Sequence, residues 1–282
     1  FSPDGKTVLV ANEGEPNEDY SVDPEGTVSI IDIRDISKPV VKSADFRAFN
    51  GKEAELRAKG VRIYGPKDNT KAYAANNLTS AAKDFEPEYI TVSADNKTAW
   101  VTLQENNALA KIDLATAKVL DVLPLGYKNY GTAGNGIDAS DDPKGIDIKT
   151  QPGVYGMYLP DSISSYKAAD GKTYLVTANE GDSRAWGEGD DAYWNGDRSK
   201  GFVEEFRVKH LVHKDGFDRR ANDDLPPQLR DLAAGALLDP VNFAWCGAEK
   251  GKVGNCRNDD VLGRLNISWT MGYETDATGA PV

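Results

Sequence analysis

Carboxylates are the side chains in this sequence most able to do chemistry, and they are clustered. Between Ala11 and Gly26 stand six acids, Glu13, Glu15, Glu18, Asp19, Asp23 and Glu25, with no lysine or arginine among them. Between Glu180 and Asp197 stand six more, Glu180, Asp182, Glu188, Asp190, Asp191 and Asp197, against Arg184 alone. Carboxylates forced together repel, so each tends to take up a proton or recruit a cation. Hard oxygen donors beside asparagine and backbone carbonyls suit Ca²⁺, which accepts about six to eight oxygens in flexible geometry. The opposing reading is a set of solvated loops that keep the protein in solution.

The elements that must position these acids form a repeat. Phe1-Ser-Pro-Asp-Gly-Lys-Thr-Val-Leu-Val-Ala-Asn-Glu-Gly14, Val92-Ser-Ala-Asp-Asn-Lys-Thr-Ala-Trp-Val-Thr-Leu-Gln-Glu105 and Tyr166-Lys-Ala-Ala-Asp-Gly-Lys-Thr-Tyr-Leu-Val-Thr-Ala-Asn-Glu-Gly181 align. Each is a polar turn that tolerates positive φ, then a β run, then an acidic loop. The middle copy predicts four strands, at 88–93, 98–103, 108–114 and 118–123. In the first copy the third and fourth strands are expected at 27–33 and 40–44. In the third copy the third strand is expected near 201–208. One such meander folds poorly alone, whereas radially stacked copies bury both faces of every sheet. The expected fold class is therefore all-β, a β-propeller of four-stranded antiparallel blades, of about seven blades when complete.

The domain reading is a single partial propeller over 1–282, with blades near 1–46, 86–125 and 158–208 and a further blade from 261. The chain then supplies about three to four blades of a longer protein. Insertions fall at 47–84, 127–154, 182–200 and 210–258. The first carries a helix near Lys52 to Lys59, and the last carries another after Pro226, a residue suited to a first helical turn.

In a propeller the loop between the second and third strands of a blade lies on the same face as the lead-in to the first strand. That rule brings Glu13, Glu15, Glu105, Glu180 and Asp182, from the loops, together with Glu86, Glu88 and Asp161, from the lead-ins. These eight are the expected metal ligands, for one or more Ca²⁺ ions at a channel mouth. Arg62 and Arg184, near the acidic loops in sequence, could orient a phosphate by paired hydrogen bonds. Two functions follow: a metal-dependent phosphoester hydrolase in which Ca²⁺ activates a water, and a non-catalytic Ca²⁺-binding surface protein. No catalytic residue is assigned, and the partners are metal ions with either a phosphoester substrate or cell-envelope components.

Other signals are weaker. The Gly134 to Asp142 loop is acidic, but its spacing does not match an EF-hand. Trp186, Tyr193 and Trp194 either form a sugar platform or pin a long loop. His210 and His213 lack a third ligand nearby and read as structural. Cys246 and Cys256, in the polar run CGAEKGKVGNC, suit a local disulfide and hence an oxidising compartment; the alternative is two unpaired thiols. The formal net charge of −12 over 282 residues argues against a nucleic-acid binder, which needs a basic surface. No apolar run is long enough to span a bilayer, and no dinucleotide, P-loop or Gly-x-Ser-x-Gly motif is present.

Several strings carry a likeness. Leu9-Val-Ala-Asn-Glu-Gly-Glu-Pro16, Val22-Asp-Pro-Glu-Gly-Thr-Val-Ser-Ile-Ile-Asp32, Glu86-Pro-Glu-Tyr-Ile90, Thr102-Leu-Gln-Glu-Asn-Asn-Ala-Leu-Ala110, Gly134-Asn-Gly-Ile-Asp-Ala-Ser-Asp141 and Val176-Thr-Ala-Asn-Glu-Gly-Asp182 resemble the choice-of-anchor I family. That family is related to mesenchyme-specific cell-surface glycoproteins, and its bacterial members are often labelled alkaline-phosphatase-like. The Ser93 to Thr102 stretch also looks like surface-layer repeats of the YVTN type. The resemblance runs over most of Phe1 to Val208 and implies a secreted, periplasmic or cell-surface propeller.

Overall fold

A computed structural model describes residues 1–63, 65–68, 78–141, 145–212, 225–230 and 238–272. Its strands in chain order are β1 (Thr7–Asn12), β2 (Thr27–Asp32), β3 (Val40–Asp45), β4 (Pro87–Val92), β5 (Thr98–Leu103), β6 (Ala108–Asp113) and β7 (Lys118–Pro124). There follow β8 (Lys128–Asn129), β9 (Tyr155–Gly156), β10 (Pro160–Lys167) and β11 (Thr173–Asn179). The last are β12 (Ala185–Trp186), β13 (Phe202–Val203), β14 (Glu205–Arg207) and β15 (Asn266–Ser268). Short helices join them among the described residues, including α1 (Glu53–Lys59), α2 (Ala81–Asp84) and α3 (Asp191–Trp194). Every strand pairing is antiparallel, so the chain is all-β with few helices.

Two compact units emerge. The first comprises Phe1–Gly65, Thr79–Gly126 and Met157–Ser183; the second comprises Pro66–Leu78, Tyr127–Gly156 and Arg184–Val282. The first unit holds three of the sheets, ordered β1-β2-β3, β4-β5-β6-β7 and β10-β11. Its middle sheet is the four-stranded meander expected from the repeat. Asn96 takes a positive φ of 58° in the β4–β5 turn, which is the conformation an asparagine tolerates there.

Successive sheets stand side by side, with β4 next to both β1 and β10. Matching bonds link them: the Thr91 and Ser165 hydroxyls lie 2.9 Å apart, the Asp4 amide donates to Asn96 Oδ1, and Lys42 Nζ donates to the Ala115 carbonyl. A core of Val28, Ile30, Phe46, Leu56, Phe85, Val101, Leu103 and Ile112 fills the space between the first two sheets and α1. Phe46 and Phe85 meet edge-on at 5.3 Å, a geometry aromatic quadrupoles favour.

The third repeat departs from expectation. The stretch near 201–208 does not add to β11; it breaks into β13, which pairs with β12, and β14, which pairs with β15. Glu204 sits between these pieces and is fully buried, and its Oε1 accepts hydrogen bonds from the Ser268 and Thr270 hydroxyls. Its backbone carries the change of partner, the amide donating to the Arg184 carbonyl and the carbonyl accepting from the Trp269 amide. Of the further blade expected from 261, the described residues hold β15. Consequently the region expected as one blade at 158–208 contributes β10 and β11 to the first unit and the remainder to the second.

In the second unit, β8 pairs with β9, and Tyr193, Trp194 and Val203 pack together. Cys246 and Cys256 form a disulfide that staples two short turns of chain. Among the described residues no helix is long and apolar enough to cross a membrane. The segment after Pro226 and His213 lie partly or wholly outside the described residues.

Candidate functional site: a carboxylate ring in the first unit

The site is built on two irregularities in otherwise regular strands. Along β4 the pairing runs Pro87 with Leu103 and then Ile90 with Val101, so one extra residue is accommodated beside Glu88. Along β10 it runs Pro160 with Asn179 and then Ser162 with Ala178, so Asp161 is the extra residue. A bulge re-aims its side chain relative to the ladder. Glu88 and Asp161 therefore occupy the same place in successive sheets, each bulged at the start of the first strand.

Thr102 on β5 connects the two bulges. Its Oγ1 accepts from the Tyr89 amide at 2.9 Å and donates to the Asp161 carbonyl at 3.0 Å. The β5–β6 loop is held just as closely. Asn107, at a positive φ of 49°, accepts at Oδ1 from the Tyr158 and Leu159 amides and donates from Nδ2 to the Gly126 carbonyl. Asn106 donates from Nδ2 to Asp84 Oδ2 at 2.7 Å and to the Arg62 carbonyl at 2.8 Å. The β1–β2 loop closes on the same region through Gly26, whose amide donates to the Ala82 carbonyl. A Cβ at Gly26 would fall 2.0 Å from the Phe85 carbonyl oxygen, so only glycine fits.

Glu105, Glu13, Asp161 and Asp182 all belong to the first unit and stand near enough to Glu88 for their charges to act on it. Burial raises the Glu88 carboxyl first, and the charges of Glu105, Glu13, Asp161 and Asp182 raise it further, to about 8. A half-buried acid among four others is thus largely protonated at neutral pH. The remaining expected ligands stand differently. Glu86 is buried at 3% exposure, Glu15 is exposed, and Glu180 Oε2 accepts from Gln104 Nε2 at 3.3 Å. Among the described residues, no three His, Cys, Asp or Glu side chains close around one point as metal ligands would.

The two arginines are not at the solvent boundary. Arg62 is 5% exposed and donates from Nη1 to the Glu105 carbonyl at 2.9 Å, bracing the loop that carries that acid. Arg184 is 4% exposed and lies in the second unit. Other acids of the two clusters also have structural duties. Glu25 pairs with Arg47, Asp23 lies 3.6 Å from Lys83 Nζ, Asp190 caps α3, and Asp197 accepts from the Ser199 amide and hydroxyl. From Arg184 onward the second acidic stretch belongs to the second unit.

The secondary candidates resolve similarly. Trp186, Tyr193 and Trp194 are buried, with Trp194 Nε1 donating to the Glu188 carbonyl and the Tyr193 hydroxyl to Gln228 Oε1. They pin the loop and offer no open platform. His210 is fully buried. In the 134–142 loop Asp138 accepts backbone amides from Ser140 and Asp147, and Asp141 pairs with Arg264; Asp142 lies outside the described residues. Sequence reasoning missed Thr102, Asn106 and Asn107 as the side chains that hold the ring. The consecutive asparagines at a strand-to-strand loop were the available signal, because asparagine both tolerates positive φ and bonds backbone.

Comparison with known proteins adds a family frame. The model for the choice-of-anchor I domain matches residues 1–280. A mesenchyme-specific cell surface glycoprotein of Strongylocentrotus purpuratus is 36% identical over 142 residues, covering 50% of this chain and 18% of that protein. This chain therefore corresponds to a minor part of that relative's length. The solved periplasmic gluconolactonase PpgL of Pseudomonas aeruginosa shares 15% identity, covering 64% of this chain and 62% of that chain, with a TM-score of 0.20. A likeness at that level carries no argument.

Proposed function

The chain belongs to the choice-of-anchor I family, and from that premise we propose that it is a secreted or cell-surface protein of propeller construction that binds Ca²⁺ through the carboxylate ring around Glu88. The observation that supports this reading is the Glu88 carboxyl, held up at about 8 by burial and four neighbouring acids. Such a site binds a proton when nothing better is present, and a divalent cation relieves the same repulsion more fully. The ring lacks a closed ligand set, so the ion must draw the flexible acidic side chains inward; the donors themselves are the hard oxygens Ca²⁺ prefers. The surface location rests on the family and on the sea-urchin relative's description.

Binding without catalysis is favoured over phosphoester hydrolysis. Hydrolysis needs a basic group beside the ion to orient phosphate, and Arg62 instead braces the Glu105 loop from a buried position. The test is thermal unfolding and calorimetric titration with Ca²⁺, repeated after chelation. At free Ca²⁺ about a hundredfold above Kd, the native state should gain about 2.7 kcal/mol. Binding should release protons near pH 7, and Glu88→Gln should abolish both effects. Absence of any Ca²⁺-dependent shift overturns the cation reading. Chelator-sensitive hydrolysis of a generic phosphomonoester would restore the enzyme.

A further inference from the structure

A cleft of about 240 Å³ opens in the second unit. Asp138, Asp147 and Asp260 line it with Lys149, Ser140 and Gln151. Its walls are fixed before any ligand arrives. Ile137 and Lys149 exchange backbone hydrogen bonds of 3.0 and 3.3 Å, Arg264 forks onto Asp141 with Nη2 at 2.7 Å, and the Ser140 hydroxyl donates to the Asp259 carbonyl. Lys149 Nζ is drawn to Asp147 at 2.6 Å, which leaves the lining net negative.

Gln151 sets the chemistry. It is 1% exposed, it lines the cleft, and its Oε1 has no hydrogen-bond partner. A buried carbonyl left unsatisfied costs about 1–3 kcal/mol, and a donor entering the cleft that Gln151 lines would relieve that cost. The Asp138 carboxylate is preset alongside, held by the Asp147 amide at 3.0 Å. The occupant must therefore present several N–H donors and a positive charge. A bare metal ion fits poorly, because the space of about 240 Å³ far exceeds an ion. Guanidinium suits best: it is planar, carries five donors, and is weakly enough hydrated to approach a buried carbonyl.

We propose that this cleft binds a guanidinium group, either of a free alkylguanidine or of an arginine side chain presented by a partner, with Asp138 and Gln151 as its principal acceptors. Calorimetric titration of the full chain with agmatine should give saturable binding. Asp138→Asn should weaken it about tenfold, as expected for loss of a charge-assisted hydrogen bond. Lys149→Met, at a side chain 45% exposed and so tolerant of change, should strengthen it about two- to fivefold by removing the competing cation. Glu88→Gln in the other unit should leave it unchanged. Titration with Gly-Arg-Gly amide separates the sources: binding of agmatine alone supports a free ligand, and binding of both supports a peptide-borne arginine. No saturable binding of either, or equal affinity in the Asp138 and Lys149 variants, overturns the proposal, as does displacement of agmatine by Ca²⁺.

Discussion

Glu88 concentrates the consequences that belong to single residues. Its carboxyl is raised from the ordinary 4.5 to about 8 in the folded protein. The folded state therefore holds more protons than the unfolded chain between those values, and stability must fall as pH rises through that window. Below about 4.5 the penalty is absent, and above about 8 it is complete. Glu88→Gln should flatten the fall, leaving the variant more stable than the parent at pH 9 in the absence of Ca²⁺. The gain should be about 1–2 kcal/mol, less than the full displacement would give, because water screens a half-exposed group. Melting temperatures of both proteins from pH 5 to 9 check this, and parallel curves would remove Glu88 as the titrating group. The acids around it were legible in the sequence because they recur after the same strand of each repeat. Their difference in burial was not, since Glu86 just before β4 and Glu88 within it are two positions apart yet only Glu86 is enclosed.

At the scale of elements, the bulges of β4 and β10 decide where the carboxylates point, and Thr102 decides whether the bulges hold. Thr102→Val keeps the shape but removes the acceptor for the Tyr89 amide and the donor to the Asp161 carbonyl. Stranding those partly buried backbone groups should cost about 1–3 kcal/mol. The urea midpoint should drop, and Ca²⁺ affinity should drop with it. A midpoint unchanged within error would show that Thr102 does not bridge the strands. The strands themselves could be read in advance where alternation and turn chemistry agree, as in Thr98-Ala-Trp-Val-Thr-Leu103 after Asp95-Asn96. The bulges could not, because one extra residue in a pairing register depends on both partners and leaves no mark on either strand alone. The broken stretch at 202–207 escaped for a related reason: Phe202, Val203 and Phe206 look like one strand, and its change of partner from β12 to β15 depends on chain far away in sequence.

Across the whole molecule, the Cys246–Cys256 bridge lies in the second unit and the carboxylate ring in the first. Closing so short a loop is worth about 2.5–3 kcal/mol by the chain-entropy estimate. Reduction should lower the transition of the second unit while leaving the Ca²⁺-dependent transition in place, a separation that scanning calorimetry with and without reductant would register. A single transition moving with both treatments would instead show that the units melt together. The pair of cysteines was legible from its spacing in a polar loop, whereas the division into units was not, because each unit is assembled from separated stretches of chain. That interleaving also sets a schedule. Glu13, Glu88 and Glu105 emerge early from the ribosome, but Asp161 and Asp182 follow only after the chain has left for Tyr127–Gly156 and returned. While it is being synthesised, the protein therefore carries an incomplete set of the acids that act on Glu88, and the set is completed late, by the loop that follows the last strand of the first unit.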